Sequence, residues 1–141
     1  MALLVNVYLK QMKKGLGIFA CNKIKKNQVI WIPSNLRKFT IEELEKISEP
    51  EKQFIIKYAC SLSDGTKYVD NDFALFWNHS CEPNTKLLAG NNDIRIAAKD
   101  IEIDEELTYD YHDDKSGLEE DGFKCLCRSS KCRGYIKKER K

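Results

Sequence analysis

The stretch FWNHSCEPNT, residues 76–85, decides the fold of this chain of 141 residues. Within it His79 and Cys81 are separated by one residue, flanked by asparagines and followed by a proline. Such a stretch can be half of a metal site, a nucleophile with its base, or a rigid turn that holds something else. The stretch alone does not choose among the three, so the choice depends on what the rest of the chain supplies.

Three more cysteines lie close together near the C-terminus. In CLCRSSKCRG, residues 125–134, the pattern C-x-C-x4-C is formed by Cys125, Cys127 and Cys132. Structural zinc takes four ligands, mostly thiolates, so this spacing predicts a metal site that needs one ligand from elsewhere. The candidates for that fourth ligand are the remaining cysteines and the two histidines: Cys21, Cys60, Cys81, His79 and His112.

Composition predicts a single globular domain, because 42% of the residues are hydrophobic and the length suits one core. No apolar run approaches the roughly 20 residues of a membrane span, and we expect no membrane partner. The first residues have neither a charged leader nor a small-residue cleavage site, so no signal peptide is expected. We therefore expect an intracellular protein, nuclear or cytoplasmic, whose six cysteines serve as metal ligands or free thiols instead of disulfides.

Charge is distributed unevenly along the chain. Residues 1–40 contain eight Lys or Arg and no acidic residue, whereas residues 100–121 contain eleven Asp or Glu and one Lys. The acidic stretch is either an ordinary solvated surface or a surface that attracts a cationic substrate. Nucleic acid is not expected as a direct ligand, because the basic residues are not interleaved with aromatics and the acidic stretch repels phosphate.

Short runs of β-forming residues between turn residues predict a β-rich α+β domain with little helix. The predicted strands cover residues 3–9, 28–33, 93–101 and 105–111, and a hairpin turn at residues 90–93 precedes the third. Thr40 with Glu43 three residues later is a capping box, which predicts a helix from that point. A second helix is predicted over roughly residues 50–61, with Pro50 in its first turn.

The segment EELTYDY, residues 105–111, carries two tyrosines at alternate positions. In an extended segment residues i and i+2 point to the same side, so Tyr109 and Tyr111 are predicted to share a face. Two phenols on one face either cover a sheet or line a narrow slot, where they orient an amine by hydrogen bonds. The pattern by itself leaves both interpretations open.

KGLGIFA, residues 14–20, contains a pair of glycines. It lacks the third glycine of a dinucleotide fingerprint and the GK[ST] of a P-loop, which excludes both kinds of phosphate site. The two glycines belong either to a plain turn or to a backbone segment that approaches a ligand closely.

KGLGIFA, NHSCEPN, EELTYDY and CLCRSSKCRG occur in that order along the chain. In that order they resemble the SET-domain family of protein-lysine methyltransferases, including its post-SET zinc motif, and the resemblance covers residues 3–136. It implies a SET-domain fold of small curved sheets with a C-terminal pseudoknot that brings NHSC beside ELTYDY. It also implies a SET domain over residues 1–112, followed by an acidic loop and a zinc-binding post-SET tail over residues 113–141.

The resemblance implies two ligands, S-adenosylmethionine and zinc. The residues expected to hold S-adenosylmethionine are Lys14, Gly15, Leu16, Gly17, Asn78, His79, Tyr111 and Tyr135. The aromatic side chains expected to line the channel for the substrate lysine are Tyr68, Phe76, Tyr109 and Tyr111. The expected zinc ligands are Cys81, Cys125, Cys127 and Cys132, which leaves Cys21 and Cys60 as buried thiols.

The resemblance further implies methylation of a lysine side chain on a histone tail or another basic protein. Tyr111 matches the catalytic tyrosine, and Tyr109 matches the position that tunes how many methyl groups are added, here mainly one with some second addition. Two departures, Leu75 where relatives carry Arg and Asp104 where they carry Gly, leave the substrate open. The alternatives are a catalytically inactive SET-like protein-binding module and a zinc-stabilised nucleic-acid-binding domain.

Overall fold

The computed structural model describes residues 2–113 and 123–136, and these residues form mostly short strands. In chain order the strands are β1 (Val7–Met12), β2 (Gly15–Ala20), β3 (Val29–Trp31), β4 (Arg37–Phe39), β5 (Cys60–Ser61), β6 (Lys67–Val69), β7 (Asn78–His79), β8 (Thr85–Leu88), β9 (Asn91–Ala97), β10 (Thr108–Tyr109), β11 (Phe123–Lys124) and β12 (Tyr135–Ile136). The described helices are α1 (Ile41–Glu45), α2 (Glu49–Tyr58) and the 3₁₀ helices Phe73–Phe76 and Tyr111–Asp113. The predicted β-rich α+β class is confirmed. Within the described ranges no helix is long and apolar enough to cross a membrane.

The strands of the described residues form small sheets instead of one large sheet. Three-stranded sheets have the orders β3–β9–β8 and β4–β6–β5, while β1–β2, β7–β10 and β11–β12 are pairs. The core lies between these sheets, because each sheet buries an apolar face against its neighbours. Its most deeply buried side chains, with at most 1% exposure, include Ile18, Ile30, Ile101, Leu107 and Ile136.

β1 and β2 form an antiparallel hairpin that pairs Val7 with Ala20 at one end and Met12 with Gly15 at the other. Gly15 has φ +111°, in the left-handed region that favours glycine, so the first glycine of KGLGIFA closes the turn. The strand predicted over residues 3–9 is wrong at both ends, since β1 begins and ends later. The polar second half of β1, with Lys10 and Gln11, remains part of the strand because its backbone groups pair with β2.

The β8–β9 hairpin turns at residues 89–90 and not at the predicted residues 90–93. Gly90, with φ +82°, allows this two-residue turn, and pairing resumes at the next residue. The strand predicted over residues 93–101 is therefore displaced, because β9 begins two residues earlier and ends four residues earlier.

Both α-helices begin at hydroxyl N-caps. The Thr40 hydroxyl accepts a hydrogen bond from the Glu43 amide (3.2 Å), which confirms the predicted start of α1. The Ser48 hydroxyl caps α2 in the same way, accepting from the Glu51 amide at 3.4 Å. α2 ends at Tyr58, earlier than predicted, because the residues that follow pair with β6 as β5.

The parallel pairing of β7 with β10 joins two motifs that lie far apart in the sequence. It sets residues 108–109 beside residues 78–79. Asn84, just beyond NHSC, reinforces the pairing: its Nδ2 donates to the Glu106 carbonyl (2.7 Å) and its Oδ1 accepts from the Thr108 amide (2.9 Å). NHSC therefore lies beside ELTYDY, as the resemblance implied.

Replacing Asn84 with Ala is expected to lower the free energy of unfolding by about 2–4 kcal/mol, because buried backbone groups at positions 106 and 108 lose their partner. Urea denaturation followed by circular dichroism measures the change. Asn71→Ala is the matched control, because Asn71 is exposed and donates to the Asn35 carbonyl (2.9 Å). Equal effects of the two substitutions would show that the β7–β10 pairing does not depend on Asn84.

Candidate active site

A cavity of about 570 Å³ lies between the β1–β2 turn, the NHSC segment and the C-terminal tail. This volume is within the range of small-molecule and cofactor sites. The residues predicted for the cofactor site and the lysine channel that line it are Lys14, Gly15, Leu16, Phe76, Asn78, His79, Tyr109 and Tyr111. Motifs from separate parts of the sequence thus share one cavity.

Glu106 holds the glycine segment against NHSC beside this cavity. Its carboxylate accepts from Lys14 Nζ (2.9 Å) and from Asn78 Nδ2 (3.0 Å), and the same Nδ2 donates to the Leu16 carbonyl (2.9 Å). Gly17 has no room for a side chain, because a Cβ there would come within 2.6 Å of Glu106 Oε2. Glu106 was not predicted, since nothing in its sequence surroundings distinguishes it from the other acidic residues nearby.

Tyr109 and Tyr111 lie side by side in the cavity wall, with their ring centroids 4.9 Å apart. Tyr111 donates its hydroxyl hydrogen to the Trp77 carbonyl (2.8 Å), and the Trp77 ring stands edge-on to the Tyr109 ring at 5.1 Å. The strand predicted over residues 105–111 is shorter than expected, because β10 stops at Tyr109 and Tyr111 begins a 3₁₀ helix. The two rings therefore meet through side-chain packing and not through strand alternation.

His79 is buried and neutral. Burial lowers its pKa to about 4, against the attraction of the Asp110 carboxylate. Its Nδ1 accepts a hydrogen bond from the Tyr111 amide (3.1 Å), which assigns the ring proton to Nε2, 3.4 Å from Cys81 Sγ. One imidazole thus links the Tyr111 backbone to a cysteine sulfur.

The four cysteines expected to bind zinc form one cluster, with all Sγ atoms within 4.8 Å of one another: Cys81, Cys125, Cys127 and Cys132. The Cys81–Cys125 Sγ separation is 3.7 Å. A tetrahedral site with Zn–S bonds of about 2.3 Å has edges of about 3.8 Å, so the donor set fits structural zinc. Cys60 is buried as expected, but the expectation for Cys21 is wrong: the chain turns to solvent after β2 and this thiol is exposed.

Backbone amides support negative charge on the sulfurs of this cluster. The amides of residues 133 and 134 donate to Sγ of Cys81 and Cys132, at 3.3 and 3.4 Å. Burial raises the pKa of the Cys125 thiol. Burial acts in the same direction on Cys127, but hydrogen bonds from backbone amides outweigh it and lower its pKa to about 6. The lowered pKa favours the thiolate form of Cys127, the form that coordinates a metal.

Arg133 joins the cysteine-rich tail to the segment after β10. Its Nε is 3.5 Å from Cys81 Sγ, its Nη2 is 3.0 Å from Asp110 Oδ2, and its Nη1 is 2.9 Å from His112 Nδ1. The hydrogen bond to Cys81 raises the Arg133 pKa against the effect of burial, and Asp110 adds to the rise. The sequence marks Arg133 as a basic residue that offsets the charge of the thiolates, but it does not predict the bonds of Arg133 to Asp110 and His112.

Phe123 adds an aromatic ring to the cavity wall from the tail. Its ring centroid lies 5.8 Å from those of both His79 and Tyr111, in edge-on geometry. The β11–β12 pair holds it in place by pairing Phe123 with Ile136. No sequence signal had marked Phe123, because its importance comes only from docking of the tail onto NHSC.

Three residues predicted for the cofactor site or the lysine channel, all within the described ranges, do not line the cavity. Gly17 lies in β2 and is buried against Glu106. Tyr68 is 3% exposed in the core, with its ring 5.7 Å from that of Trp31. Tyr135, in β12, is 53% exposed. Their assigned roles stay predictions.

The described carboxylates of the acidic stretch are engaged within the protein. Up to residue 113 each one pairs with a group elsewhere in the chain: Asp100 with Lys26, Glu102 with Lys23, Asp104 with Tyr8, Glu105 with Asn84, Glu106 with Lys14, Asp110 with Arg133 and Asp113 with Arg95. These carboxylates serve the fold, and Asp100, Asp104 and Glu105, whose partners are neutral groups, keep their negative charge. The remaining acidic residues of the stretch, after position 113, lie outside the described residues.

Comparisons with known proteins give similarities to one group. The family model described as SET domain matches residues 15–112. The histone-lysine N-methyltransferase set-2 of Caenorhabditis elegans is 34% identical over 133 residues, which cover 86% of this chain and 8% of the relative. The histone-lysine N-methyltransferase, H3 lysine-4 specific, of Emericella nidulans is 44% identical over 68 residues, which cover 45% of this chain and 6% of the relative.

A solved structure is similar in fold. The methyltransferase domain of human histone-lysine N-methyltransferase SETMAR superposes with a TM-score of 0.62 at 21% identity, covering 94% of this chain and 58% of that chain. The chain spans less than a tenth of the length of the two curated relatives.

Proposed function

The chain belongs to the SET-domain family, and from this membership we propose that it is a protein-lysine N-methyltransferase that uses S-adenosylmethionine. The observation that carries the proposal is the position of Tyr111 in the cavity wall, held by the Trp77 carbonyl and the His79 ring. We further propose a histone tail or another basic protein as the substrate, nuclear action, and one methyl group as the main product. The curated relatives named as histone-lysine methyltransferases support the substrate class.

The residues proposed to hold S-adenosylmethionine are residues 14–17, at the turn between β1 and β2, and those of NHSC. The cavity has the volume of a cofactor site, and the left-handed Gly15 keeps side-chain bulk away from its edge. Asn78 donates both hydrogens of its amide within the protein, to Leu16 and Glu106. It is therefore left with its side-chain oxygen for contact with a ligand. When bound, S-adenosylmethionine supplies a methyl group on a positively charged sulfur.

The role proposed for Tyr111 is to orient the substrate amine. A free lysine has a pKa of about 10.4, so its ammonium must lose a proton, which passes to water at the channel mouth. Burial in an aromatic channel beside a positive charge favours the neutral amine. The Tyr111 hydroxyl hydrogen is donated to the Trp77 carbonyl, so the Tyr111 oxygen is an acceptor for an amine N–H. The lone pair of the nitrogen then stays available for the methyl carbon, with which it forms the new bond as the carbon–sulfur bond breaks.

We also propose that the four-cysteine cluster holds one zinc ion that orders the tail over the cavity. Three of its ligands belong to the proposed tail of residues 113–141 and one to NHSC, in the proposed SET domain of residues 1–112. Zinc would therefore join the two parts and hold Phe123 against His79 and Tyr111.

The proposed activity is tested by incubating the zinc-loaded protein with S-adenosylmethionine and purified core histones, followed by tandem mass spectrometry. Methyl groups on lysine residues, absent without the cofactor or with excess S-adenosylhomocysteine, are the expected result. Calorimetry with S-adenosylmethionine is run in parallel. Cofactor binding without methyl transfer to any protein in a wider panel of basic proteins would favour the catalytically inactive binding module.

Tyr109→Phe is expected to raise the share of di- and trimethyl-lysine. A phenol hydroxyl beside the amine occupies space, directly or through a water, that a second methyl group would need, and phenylalanine frees that space. Product distributions are measured by mass spectrometry at matched consumption of unmodified lysine. Tyr8→Phe is the control, since it deletes a hydroxyl that donates to Asp104. An unchanged distribution in Tyr109→Phe would remove Tyr109 from control of the methylation state.

A further inference from the structure

Arg95 carries a charged side chain into the core behind the aromatic cluster. It lies in β9, the central strand of the β3–β9–β8 sheet, and is 3% exposed. A buried guanidinium is costly unless other groups compensate its charge. Its position in the strand-like run DIRIAA gave no sign of burial, because the isoleucines on either side of it mark the opposite face.

The groups around Arg95 are those that surround the proposed channel. Its guanidinium carbon is 4.3 Å from the centroid of the Tyr109 ring and 5.7 Å from that of the Trp77 ring. Its Nη1 is 3.3 Å from Asp113 Oδ2. The two aromatic rings contact each other edge-on, so the cation lies against an assembled pair and not against a single ring.

Several neighbours hold the Tyr109 ring in this arrangement. They include the Arg95 guanidinium, the Tyr111 ring at 4.9 Å and the Trp77 ring at 5.1 Å. Asp113 ends the 3₁₀ helix that Tyr111 begins, so the ion pair also fastens this helix to β9. A ring held in this way cannot tilt without separating a buried cation from its π face.

We propose that Arg95 is a positioning residue that fixes the Tyr109 hydroxyl and thereby limits the number of methyl groups added to one lysine. The inference rests on the proposed methyl transfer. Without the guanidinium the Tyr109 ring gains freedom, and the space next to the amine then accommodates a methylated nitrogen. Arg95 acts through Tyr109 and does not itself touch the substrate.

The test compares Arg95→Met, Arg95→Lys and Asp113→Asn with the wild type, using S-adenosylmethionine and the same histone. The ratio of dimethyl- to monomethyl-lysine is measured at matched consumption of unmodified lysine. Arg95→Met is expected to raise this ratio about 3- to 10-fold, less than the full free energy of a buried cation–π contact would give, because Trp77 and Tyr111 still pack against Tyr109. Arg95→Lys and Asp113→Asn are expected to give smaller rises. Lys86→Met on the neighbouring strand β8, an exposed position, is the matched control and should leave the ratio unchanged.

A double substitution separates positioning from general damage to the core. If Arg95 acts through Tyr109, adding Arg95→Met to Tyr109→Phe should raise the ratio no further than Tyr109→Phe alone. General damage would lower the rate of the first methylation and the melting temperature without changing the ratio. The Asp113 side chain is 31% exposed, so its carboxylate stays hydrated when Arg95 is replaced, and Arg95→Met is expected to fold.

An unchanged ratio in Arg95→Met, with the wild type active, overturns the inference and leaves the proposed function standing. If Arg95→Met does not fold, unchanged ratios in both Arg95→Lys and Asp113→Asn overturn it equally. Additive effects of Arg95→Met and Tyr109→Phe would also overturn it, since the two residues would then act independently. A wild type that binds S-adenosylmethionine but methylates no lysine overturns the proposed function and the inference with it.

Discussion

Tyr111→Phe is expected to lower the rate of lysine methylation by about 10²–10³-fold, while the affinity for S-adenosylmethionine stays within a few-fold of wild type. The substitution deletes the oxygen that is proposed to accept from the substrate amine. It also deletes the hydrogen bond to the Trp77 carbonyl (2.8 Å) that holds the ring in the cavity wall. The amine then reaches the methyl carbon without a fixed orientation, which is the main contribution expected from this site. Rates are measured by single-turnover mass spectrometry, and cofactor affinity by calorimetry.

The control for Tyr111→Phe is Tyr8→Phe, which deletes a hydroxyl that donates to Asp104 (2.8 Å) on the β1 side of the molecule. It should retain the wild-type rate. Circular dichroism of both variants should match the wild type, because the Tyr111 ring remains to pack against Tyr109 and Phe123. A Tyr111→Phe variant as active as Tyr8→Phe would exclude Tyr111 from the transfer step.

Loss of zinc is expected to abolish methylation while the sheets of the core stay folded. The only regular structure of the described tail is the two-residue pairing of β11 with β12. Its contacts through Arg133 and Phe123 lie beside the cysteine cluster, so the order of the tail should depend on the metal. Structural zinc contributes an apparent binding free energy of about 10–16 kcal/mol in small domains, enough to order such a segment. Without it Phe123 would leave His79 and Tyr111, and the cavity would lose its wall on the tail side.

Cys127→Ser tests this dependence without a chelator. The variant should lose its stoichiometric zinc in metal analysis, become sensitive to trypsin in the lysine- and arginine-rich tail, and lose methyl transfer. Cys21→Ser is the matched control, because Cys21 is an exposed thiol outside the cluster. Full zinc content and activity in Cys127→Ser would contradict the four-cysteine site. Zinc loss with full activity would instead separate the metal from the function of the cavity.

Local patterns were sufficient for features that depend on near neighbours in the chain. The capping box at Thr40 predicted the start of α1, because the hydroxyl and the amide that it accepts from are three residues apart. The spacing of the tail cysteines predicted a metal cluster, because three closely spaced thiols are typical of a structural zinc site. Strand ends were less accurate: β1 extends through polar residues because its limits follow from backbone pairing with β2 and not from its own side chains.

The sequence by itself determined the chemistry that the molecule has available: two tyrosines, a glycine turn, NHSC, and a set of cysteines one ligand short of a zinc site. Only the tertiary structure decided how the charges are used. Lys14 and Glu106 pair although 92 residues separate them in the chain. The acidic residues of positions 100–113 pair with groups elsewhere in the chain, and Arg95 lies buried against Tyr109. The physical reason is that the electrostatic free energy of a charged group depends on the groups within a few ångströms of it. Tertiary packing decides which remote residues come that close, and no local sequence pattern encodes it.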